Sequence, residues 1–342
     1  MKLLGKVMQL KPLSVREAEN VMGDIMDGKL TPAQIAGLIV ALRMKGETSE
    51  EIMGFALAMR RRGVKVKARS RVVADTCGTG GDGRGTLNIS TAAALVASAS
   101  GVVIAKHGNR SVSSRSGSAD VLEALGVKID PPTSIVEKCL DEAGFGFFFA
   151  PMYHPAMKYA GPPRRELGIP TIFNMLGPLT NPAGAQIQLL GVANAKQLDL
   201  IGGALAKLGT KHSLVVHSED GLDELTPTGP TMALEIRGHT IKRIKPLKPS
   251  DFGVKSCRIS DLVGGDAAYN AARFRDLLKG KRGAYRSAVV YNAGVVCWLA
   301  GKARTMRQGV ALAESLIDSG AAMERLEMVI KITQEGQKGG AT

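Results

Sequence analysis

Two blocks rich in glycine and hydroxyl residues have the composition of phosphate-binding loops. The first block, residues 76–86, contains five glycines and follows the apolar run 72–74. Glycine lets the backbone turn tightly and approach a ligand, because no Cβ stands in the way. An alanine-rich segment begins at Ala92, with Asn88, Ser90 and Thr91 just before it. The pattern predicts a strand, a glycine loop and a helix whose free N–H groups can bind phosphate.

The second block follows the apolar run 102–105 and repeats this arrangement. It begins at Lys106 and carries five hydroxyl residues and three cations up to Ser118, before a helix predicted over 119–125. Two such loops, each following a strand, predict a substrate that carries two phosphate clusters.

The glycine block fits the common nucleotide-binding motifs poorly. It satisfies the pattern G-x-G-x-x-G, but a dinucleotide site needs an acidic residue about 20 positions later, where the apolar run 101–105 stands. The chain also lacks G-x-x-x-x-G-K-[ST], which disfavours a nucleoside triphosphatase of the P-loop type. A glycine-rich turn without a ligand is the remaining structural alternative.

Asp223 and Glu224 form a dense acidic loop with their neighbours 218–222 in an otherwise basic chain. Such a loop is often only a solvated turn. Magnesium is typically held by one or two carboxylates, by water and by the phosphates of the substrate. A metal between the acids and a diphosphate would remove their mutual repulsion, so the two phosphate loops favour a magnesium site here.

Three further residues could act on a substrate. Arg164 or Arg165, in the proline-rich segment 151–185, can donate a forked pair of hydrogen bonds to a carboxylate, although a surface ion pair with Glu166 is the alternative. His107 and His154 could be acid–base groups, but a lone histidine is more often a hydrogen-bonding or core residue. No spacing supports a Ser–His–Asp or Cys–His arrangement.

The elements that must position these residues fall into two groups. Capping-box spacings at Ser14, Thr31 and Thr48 predict three helices within residues 1–68, which are too short to be stable alone. Gly28, Gly46 and Gly63 follow the predicted helix ends, where a left-handed residue is favoured. The sequence thus predicts a small helical domain at residues 1–68.

From residue 71 onward strand-like and helix-like patterns alternate, which predicts a mainly parallel sheet covered by helices. We therefore expect a large α/β domain built from 71–150 and 186–342. The prolines of 151–185 break the rhythm, so this insertion either joins the helical domain or covers the site. Strands are predicted at 72–75, 102–105, 145–150, 187–193 and 214–217, a hairpin at 232–236 and 240–244, and a frayed tail at 337–342.

Composition limits the remaining possibilities. No apolar run approaches the ~20 residues of a membrane span. Four widely spaced cysteines without a C-x-x-C pair fit a reducing cytoplasm. The net charge of +14 steers anions, and its basic cluster at 60–71 is either a solvated linker or a nucleic-acid groove. Aromatic residues are only 4% of the chain and absent from that cluster, which disfavours nucleic acid.

Seven motifs in the same order resemble the anthranilate phosphoribosyltransferase family, and the resemblance extends over about residues 3 to 335. Pyrimidine nucleoside phosphorylases share the architecture but differ in the glycine and lysine loops. The motifs are 78–82 (GTGGD), 88–91 (NIST), 106–110 (KHGNR), 117–120 (GSAD), 164–168 (RRELG), 177–182 (GPLTNP) and 220–224 (DGLDE).

The resemblance implies a set of site residues. Contacts to phosphoribosyl diphosphate are expected from Gly78, Gly81, Asp82, Thr86, Asn88, Ile89, Ser90, Thr91, Lys106, His107, Gly108, Asn109, Arg110, Ser111, Val112, Ser113, Ser114 and Ser118. Contacts to anthranilate are expected from Gly78, Asn109, Arg164, His107 and His154. Ser90, Asp223 and Glu224 correspond to the Mg²⁺ ligands.

The resemblance also implies the activity and the fold. The phosphoribosyl group would pass from phosphoribosyl diphosphate to the amine of anthranilate, with release of pyrophosphate, in the second step of tryptophan biosynthesis. No general base is expected, and Lys106 would give electrostatic support. The fold would be a small helical domain hinged to a large α/β domain, as in nucleoside phosphorylases, and the chain would be a cytoplasmic homodimer. The alternatives are a nucleoside phosphorylase or a non-catalytic protein that binds nucleic acid.

Overall fold

The computed structural model describes residues 2–66, 68–70, 72–111 and 115–335. Three of the expected phosphate contacts, Val112, Ser113 and Ser114, lie outside the described residues. The predicted tail at 337–342 and two cations of the basic cluster, Lys67 and Arg71, do so as well.

The described chain opens with a bundle of short helices, and its start signals are those that the sequence predicts. The side chains of Ser14, Thr31 and Thr48 each accept a hydrogen bond from the backbone N–H three residues later. The side chain of that later residue accepts a bond from the backbone N–H of the capping residue. Each box satisfies two N–H groups that the helix itself leaves free. The helices are α1 (Lys2–Met8), α2 (Val15–Met26), α3 (Pro32–Lys45) and α4 (Ser49–Arg62).

The glycines that follow these helices have two different functions. Gly28 and Gly46 have φ of 70° and 84°, the left-handed conformation that the sequence predicts. The expectation for Gly63 is wrong, because its φ is −70°. A Cβ at Gly63 would lie 3.2 Å from the His154 ring. Glycine at this position therefore leaves room for a close contact.

Strands and helices alternate after the bundle. β1 and β2 run farther toward their carboxyl ends than predicted, so Gly78, Lys106 and His107 are strand residues, whereas β3 and β4 end slightly earlier than predicted. The first half consists of β1 (Ala74–Gly78), α5 (Ile89–Ser98), β2 (Ile104–Gly108), α6 (Ser118–Ala124), α7 (Thr133–Ala143) and β3 (Phe145–Phe149).

The proline-rich insertion packs against the N-terminal helices. Ala160, Phe173 and Leu176 belong to the same apolar cluster as Ile35 of α3 and Phe55 of α4. The precise boundaries between the two domains stay a prediction. The insertion contains α8 (Ala150–Tyr153), α9 (Gly161–Leu167) and α10 (Ile172–Leu176), with 3₁₀ turns at Pro155–Tyr159 and Gly177–Leu179.

The second half of the chain completes the sheet and adds helices to both of its faces. The hairpin is present as predicted, whereas the helices α12 and α15 were not predicted. The elements are β4 (Ile187–Gly191), α11 (Lys196–Leu208), β5 (His212–Ser218), β6 (Thr231–Arg237), β7 (Thr240–Leu247), α12 (Ala267–Leu278), α13 (Ala284–Leu299), α14 (Met306–Asp318) and α15 (Ala321–Glu335).

The described strands form one sheet in the order β3-β2-β1-β4-β5-β6-β7. The first five strands of this order are parallel to one another. β6 runs antiparallel to both of its neighbours, β5 and β7. This architecture, a helical bundle beside a mainly parallel α/β domain, confirms the predicted fold class. No helix of the described chain has the length and apolar character that crossing a membrane requires.

The two faces of the sheet are buried in different cores. Alternate strand residues point to opposite sides: Leu189 and Leu214 enter a core with α5 and α13, and Leu190 and Val215 enter the core of the bundle. Residues of α11, among them Ile201, belong to that second core. The helical bundle therefore shares one continuous core with the α/β domain.

A buried polar network joins the sheet to the end of the insertion. Asp75 is 0% exposed and accepts hydrogen bonds from the His107 amide at 3.3 Å and from Asn181 Nδ2 at 2.8 Å. His107 Nδ1 lies 3.1 Å from the Gly177 carbonyl oxygen, so this nitrogen carries the proton. Burial, followed by the nearby His154, lowers the pKa of His107 to about 3, so its ring is neutral.

We predict that the buried Glu51 is a main determinant of bundle stability. Its carboxylate accepts bonds at 2.9 Å from the Leu13 amide and from Lys45 Nζ, and both charged side chains are at most 5% exposed. Glu51→Ala leaves the buried ammonium unpaired, which costs about 3–5 kcal/mol. Urea unfolding measures this cost. The control is Glu50→Ala, because the exposed pair between Glu50 and Lys207 contributes less than about 1 kcal/mol.

We also predict that His107 makes the protein less stable in mild acid. Its pKa is lower in the folded chain than in the unfolded chain, so the unfolded chain binds more protons between about pH 3 and 6.5. The stability contributed by this group therefore falls as the pH falls through that window. Between pH 7.5 and 5, the wild type should lose about 2 kcal/mol more unfolding free energy than His107→Asn. Equal losses in urea titrations would contradict this assignment.

Candidate active site

The predicted site residues converge where the strand order reverses. The chain leaves β1 through α5 toward β2 on one side and leaves β4 through α11 toward β5 on the other. In parallel sheets a crevice opens beyond the carboxyl ends of two such neighbouring strands, and ligands bind there. The final residues of the two strands, Gly78 and Gly191, are register partners.

Both strand ends are glycines because the acidic loop presses against them. A Cβ on Gly191 would lie 1.6 Å from the Asp223 carbonyl oxygen, and one on Gly78 would lie 2.1 Å from Asp223 Oδ2. No side chain fits at either distance. The absence of a side chain at Gly78 thus leaves the space that the Asp223 carboxylate occupies.

The glycine loop leaves the crevice and is anchored at both ends. At its start the Thr79 amide donates to the Gly191 carbonyl at 2.9 Å. At its end Thr86 pairs with Val263 in an isolated antiparallel bridge, and Gly264 donates to the Gly85 carbonyl at 2.8 Å. Gly80, Gly81, Gly83 and Gly85 all have positive φ, which glycine adopts without strain.

The two acids bind the backbone of the glycine loop and of the start of α5, which both follow β1 in the first phosphate-binding block. Asp223 Oδ2 accepts the Gly80 amide at 2.8 Å, and Glu224 Oε1 accepts the Ser90 amide at 3.1 Å at the start of α5. Burial raises the pKa of each carboxyl, and the negative charge of a neighbouring acid raises it further, Asp82 for Asp223 and Asp223 for Glu224. The crevice therefore concentrates negative charge that the nearby protein only partly offsets.

The loop that carries the acids is held from behind. Ser218 Oγ donates to the Glu224 carbonyl at 3.0 Å. The Leu225 amide donates to Asn292 Oδ1 at 3.1 Å, and Asn292 Nδ2 returns a bond of 2.7 Å to the Leu225 carbonyl. These bonds fix the backbone that presents the two carboxylates.

The acids fit a divalent cation that is also bound to substrate. Carboxylate and hydroxyl oxygens, here from Asp223, Glu224 and Ser90, are the ligands that magnesium prefers. A cation would also relieve the repulsion that raises the pKa of both carboxyls. Within the described residues no three His, Cys, Asp or Glu side chains are grouped to hold a metal. Substrate and water would therefore complete its coordination.

Lys106 is a buried cation beneath the crevice. Its ammonium is 3% exposed and donates to the Thr76 carbonyl at 2.6 Å. Its positive charge lowers the pKa of both Glu224 and Asp75, opposing the effect of burial. The extension of β2 to Gly108 explains this placement, because Lys106 is a paired strand residue and not part of a mobile loop.

The second phosphate-binding block is organised by Asp120. Its Oδ2 accepts the Ser111 amide at 3.0 Å and the Gly117 amide at 2.8 Å, which closes the two described ends of the loop. Arg110 donates to Asp120 and Glu123 at 2.9 and 2.8 Å, so its guanidinium faces α6. These two acids raise the pKa of Arg110.

Further residues expected to contact the donor make their bonds within the protein. The Asn88 side chain accepts from Asn270 at 2.9 Å and donates to the Ser116 carbonyl at 3.1 Å, and it does not cap α5. Ile89 and Thr91 are each 1% exposed, so their side chains are buried in the protein. Ser118 Oγ bonds the backbone of Asn109, with both bonds at 3.2 Å.

Of the residues expected to contact the acceptor, His154 and Arg164 belong to the insertion and His107 bonds to it, whereas Gly78 ends β1 and Asn109 follows β2. The rings of His107 and His154 are 5.3 Å apart, in an edge-on arrangement. Arg164 of α9 places its guanidinium 5.0 Å from the centre of the Phe173 ring. Burial lowers the pKa of Arg164, and no carboxylate of the described chain lies within ion-pairing distance of it. The alternative of a surface pair with Glu166 therefore does not hold.

Several residues that shape the site were not assigned from the sequence. Asp75 and Asn181 stand in or beside the motifs, but nothing in their spacing indicates that they bond each other. Asn270 and Asn292 come from distant helices. The only signal in the sequence is a polar amide within an otherwise helical pattern, and that signal does not indicate its partner.

Comparisons with known proteins agree with this geometry. The helical bundle domain of the glycosyl transferase family matches residues 1–63, and the a/b domain of that family matches residues 70–323. The anthranilate phosphoribosyltransferase of Moorella thermoacetica is 51% identical over 327 residues, which is 96% of this chain and 96% of the relative.

Solved structures give the same result. The anthranilate phosphoribosyltransferase of Thermus thermophilus superimposes with a TM-score of 0.93 at 44% identity, covering 98% of this chain and 100% of that one. The Saccharomyces cerevisiae enzyme in complex with PRPP and Mg has a TM-score of 0.86 at 29% identity, over 94% of each chain. Because sequence, family models and fold agree over nearly the whole length, this chain belongs to the anthranilate phosphoribosyltransferase family.

Proposed function

We propose that this chain transfers the phosphoribosyl group of 5-phosphoribosyl 1-diphosphate to the amine of anthranilate and releases pyrophosphate. The observation that carries the proposal is the meeting of the glycine loop, the start of α5 and two acids at one crevice, through the bonds from Gly80 to Asp223 and from Ser90 to Glu224. Family membership supports the same reaction and its place as the second step of tryptophan biosynthesis.

The donor would lie along the two phosphate loops. The N-terminus of α5 favours negative charge through the helix dipole, and its Ser90 amide already donates to the Glu224 carboxylate. Lys106 lies below and supplies a fixed positive charge in a buried setting, where electrostatic interactions are strong. Arg110, by contrast, is already paired with acids, so we assign it to holding the loop.

Mg²⁺ would be held by Asp223, Glu224 and Ser90. When bound, the ion supplies positive charge to the diphosphate as it departs. The chain supplies the rest of the arrangement, because the Gly80 and Ser90 amides orient the two carboxylates. The relative crystallised with PRPP and Mg supports this assignment.

Anthranilate would bind beside Arg164, with His107 and His154 close by. A guanidinium forks onto a carboxylate in a geometry that orients the acceptor, and Arg164 has no competing acid partner in the described chain. The neutral His107 can accept a hydrogen bond at its unprotonated Nε2, but its low pKa makes it a weak base. These side chains would position the amine and help to exclude water when the domains close.

The chemistry needs no strong base. The amine lone pair forms a bond to C1 of the ribose as the bond from C1 to the diphosphate oxygen breaks, and the amine then loses a proton. The amine is neutral before the attack, so the main requirement is to stabilise the departing negative charge. Lys106 and the helix N–H groups provide that stabilisation.

We also propose a cytoplasmic homodimer. Met8, Leu10 and Met44 of the bundle expose between 68% and 81% of their surface, and a partner bundle could cover them. The four cysteines are free, as a reducing compartment would keep them.

The proposed function is tested by turnover of anthranilate with phosphoribosyl diphosphate, with and without Mg²⁺. Formation of phosphoribosyl anthranilate only with both substrates and the metal would support it. Phosphorolysis of inosine or thymidine would instead favour the nucleoside phosphorylase. Tight binding of duplex DNA at physiological salt, without any turnover, would favour the nucleic-acid alternative.

We predict that Asp223→Ala combined with Glu224→Ala removes most activity at any Mg²⁺ concentration, because the neighbouring Asp82 alone does not replace two buried carboxylates. Initial rates over a Mg²⁺ titration measure the loss, and circular dichroism checks the fold. The control is Glu219→Ala, an exposed acid of the same loop, which should retain activity. Full activity in the double variant would refute the assignment.

We predict that Arg164→Ala raises the KM for anthranilate by about tenfold or more, because a charge-assisted hydrogen bond contributes about 1.5–3 kcal/mol. The KM for phosphoribosyl diphosphate should change much less. The adjacent, exposed Arg165 provides the control, since Arg165→Ala should change neither constant strongly. Equal shifts of both KM values in Arg164→Ala would assign this arginine to structural support.

A further inference from the structure

A cavity lies where the chain passes between the bundle and the α/β domain. Its volume is about 250 Å³, and it is lined by the segments 63–66 and 180–184 and by Arg60 and His154. Segment 63–66 is the connection that follows α4, and segment 180–184 is the end of the insertion. His154 lies near the start of the insertion. We call it the crossover cavity. It shares only His154 with the residues predicted for the active site.

Arg60 gives the crossover cavity an uncompensated positive charge. Its Nε donates to the Leu179 carbonyl at 2.7 Å, and burial lowers its pKa. No acidic side chain of the described chain forms an ion pair with it, although the next two arginines pair with Glu19 and Asp27. A half-buried guanidinium without a carboxylate partner favours the approach of an anion.

His154 is a second polar group without a strong partner. It is 4% exposed, and neither ring nitrogen has a partner at hydrogen-bonding geometry within the described chain. The Thr180 carbonyl lies near enough to offset part of the pKa decrease that burial causes, but it does not complete a bond. A neutral histidine carries one N–H, which can be donated to an anion.

The remaining walls limit what can enter. The apolar residues Val64, Val66, Pro182 and Ala183 line the cavity, and Lys65 adds a second cation at its rim. The side chain of Asn181 is already bonded to Asp75 and to the Ala105 carbonyl. A volume of about 250 Å³ admits a small anion with some water but not a nucleotide.

We propose that the crossover cavity binds a small oxyanion, a carboxylate or phosphate group, on the Arg60 guanidinium and the His154 ring. A guanidinium presents paired N–H donors that match either group. Because three connections between the domains meet there, the bound anion would tie them together and restrict their relative movement. The site shares His154 with the proposed acceptor site but none of the residues proposed to hold the donor, and it rests on the cavity, Arg60 and His154 rather than on the proposed function.

The first test is isothermal titration of the full-length protein with sodium acetate and, separately, with sodium phosphate. Saturating pyrophosphate and Mg²⁺ occupy the phosphate loops, and sodium chloride at equal ionic strength is the reference. We expect saturable binding of at least one of the two anions, and the comparison identifies whether carboxylate or phosphate is preferred. Binding no stronger than that of chloride for both would overturn the proposal.

Matched variants locate the binding. Arg60→Gln should weaken it about tenfold or more, since a charge-assisted hydrogen bond is lost. Arg61→Gln removes the adjacent charge, which is exposed and paired with Glu19, and should leave the affinity unchanged. Equal affinities in wild type and both variants would overturn the assignment to this cavity.

A crystallographic measurement does not depend on the variants folding. Crystals of the wild-type protein with pyrophosphate and Mg²⁺ are soaked in selenate, whose selenium gives an anomalous signal. A peak within hydrogen-bonding distance of Arg60, together with saturable binding in solution, supports the proposal. A fully soaked crystal without a peak in the cavity, or a peak without saturable binding in solution, refutes it.

Discussion

The site depends on one close approach, that of Asp223 to the ends of β1 and β4. Its carboxylate lies against Gly78 and its backbone carbonyl against Gly191, and a Cβ at either glycine would overlap with it. The contact sets the acidic loop across the point where the strand order reverses. The same carboxylate accepts the Gly80 amide and so orients the glycine loop. The absence of two side chains in the sheet thus brings the acids to the glycine loop.

A second constraint connects this crevice to the bundle. Asp75 lies below the crevice on β1 and joins the His107 amide to Asn181, which belongs to the returning connection. Lys106, one residue before His107, faces the acids with its charge. Two adjacent residues of β2 therefore serve the two sides: Lys106 faces the acids, and His107 is held against the insertion.

The sequence predicts the fold class and the neighbourhood of the site well, because both depend on local patterns. Capping boxes such as that at Thr48 and the alternation of strands and helices are short-range signals, and the structure agrees with them. Strand ends were less accurate: Lys106 and His107 are polar, yet pairing with β3 keeps them in a strand. The partners Asn270 and Asn292 could not be predicted, because only the tertiary fold brings distant helices to the site. Gly63 has the expected residue type for a different reason, its contact with His154.

The continuous core between the bundle and the sheet has a consequence for how the chain can be divided. Leu198, Ile201 and Leu205 of α11 are almost completely covered in a cluster shared with the N-terminal helices. Truncation before residue 64 would expose this apolar face to water, and burial of such side chains contributes about 1.5–3 kcal/mol each. The α/β part is therefore not an autonomous folding unit. The two parts of the chain would form and melt cooperatively, as a single thermodynamic body.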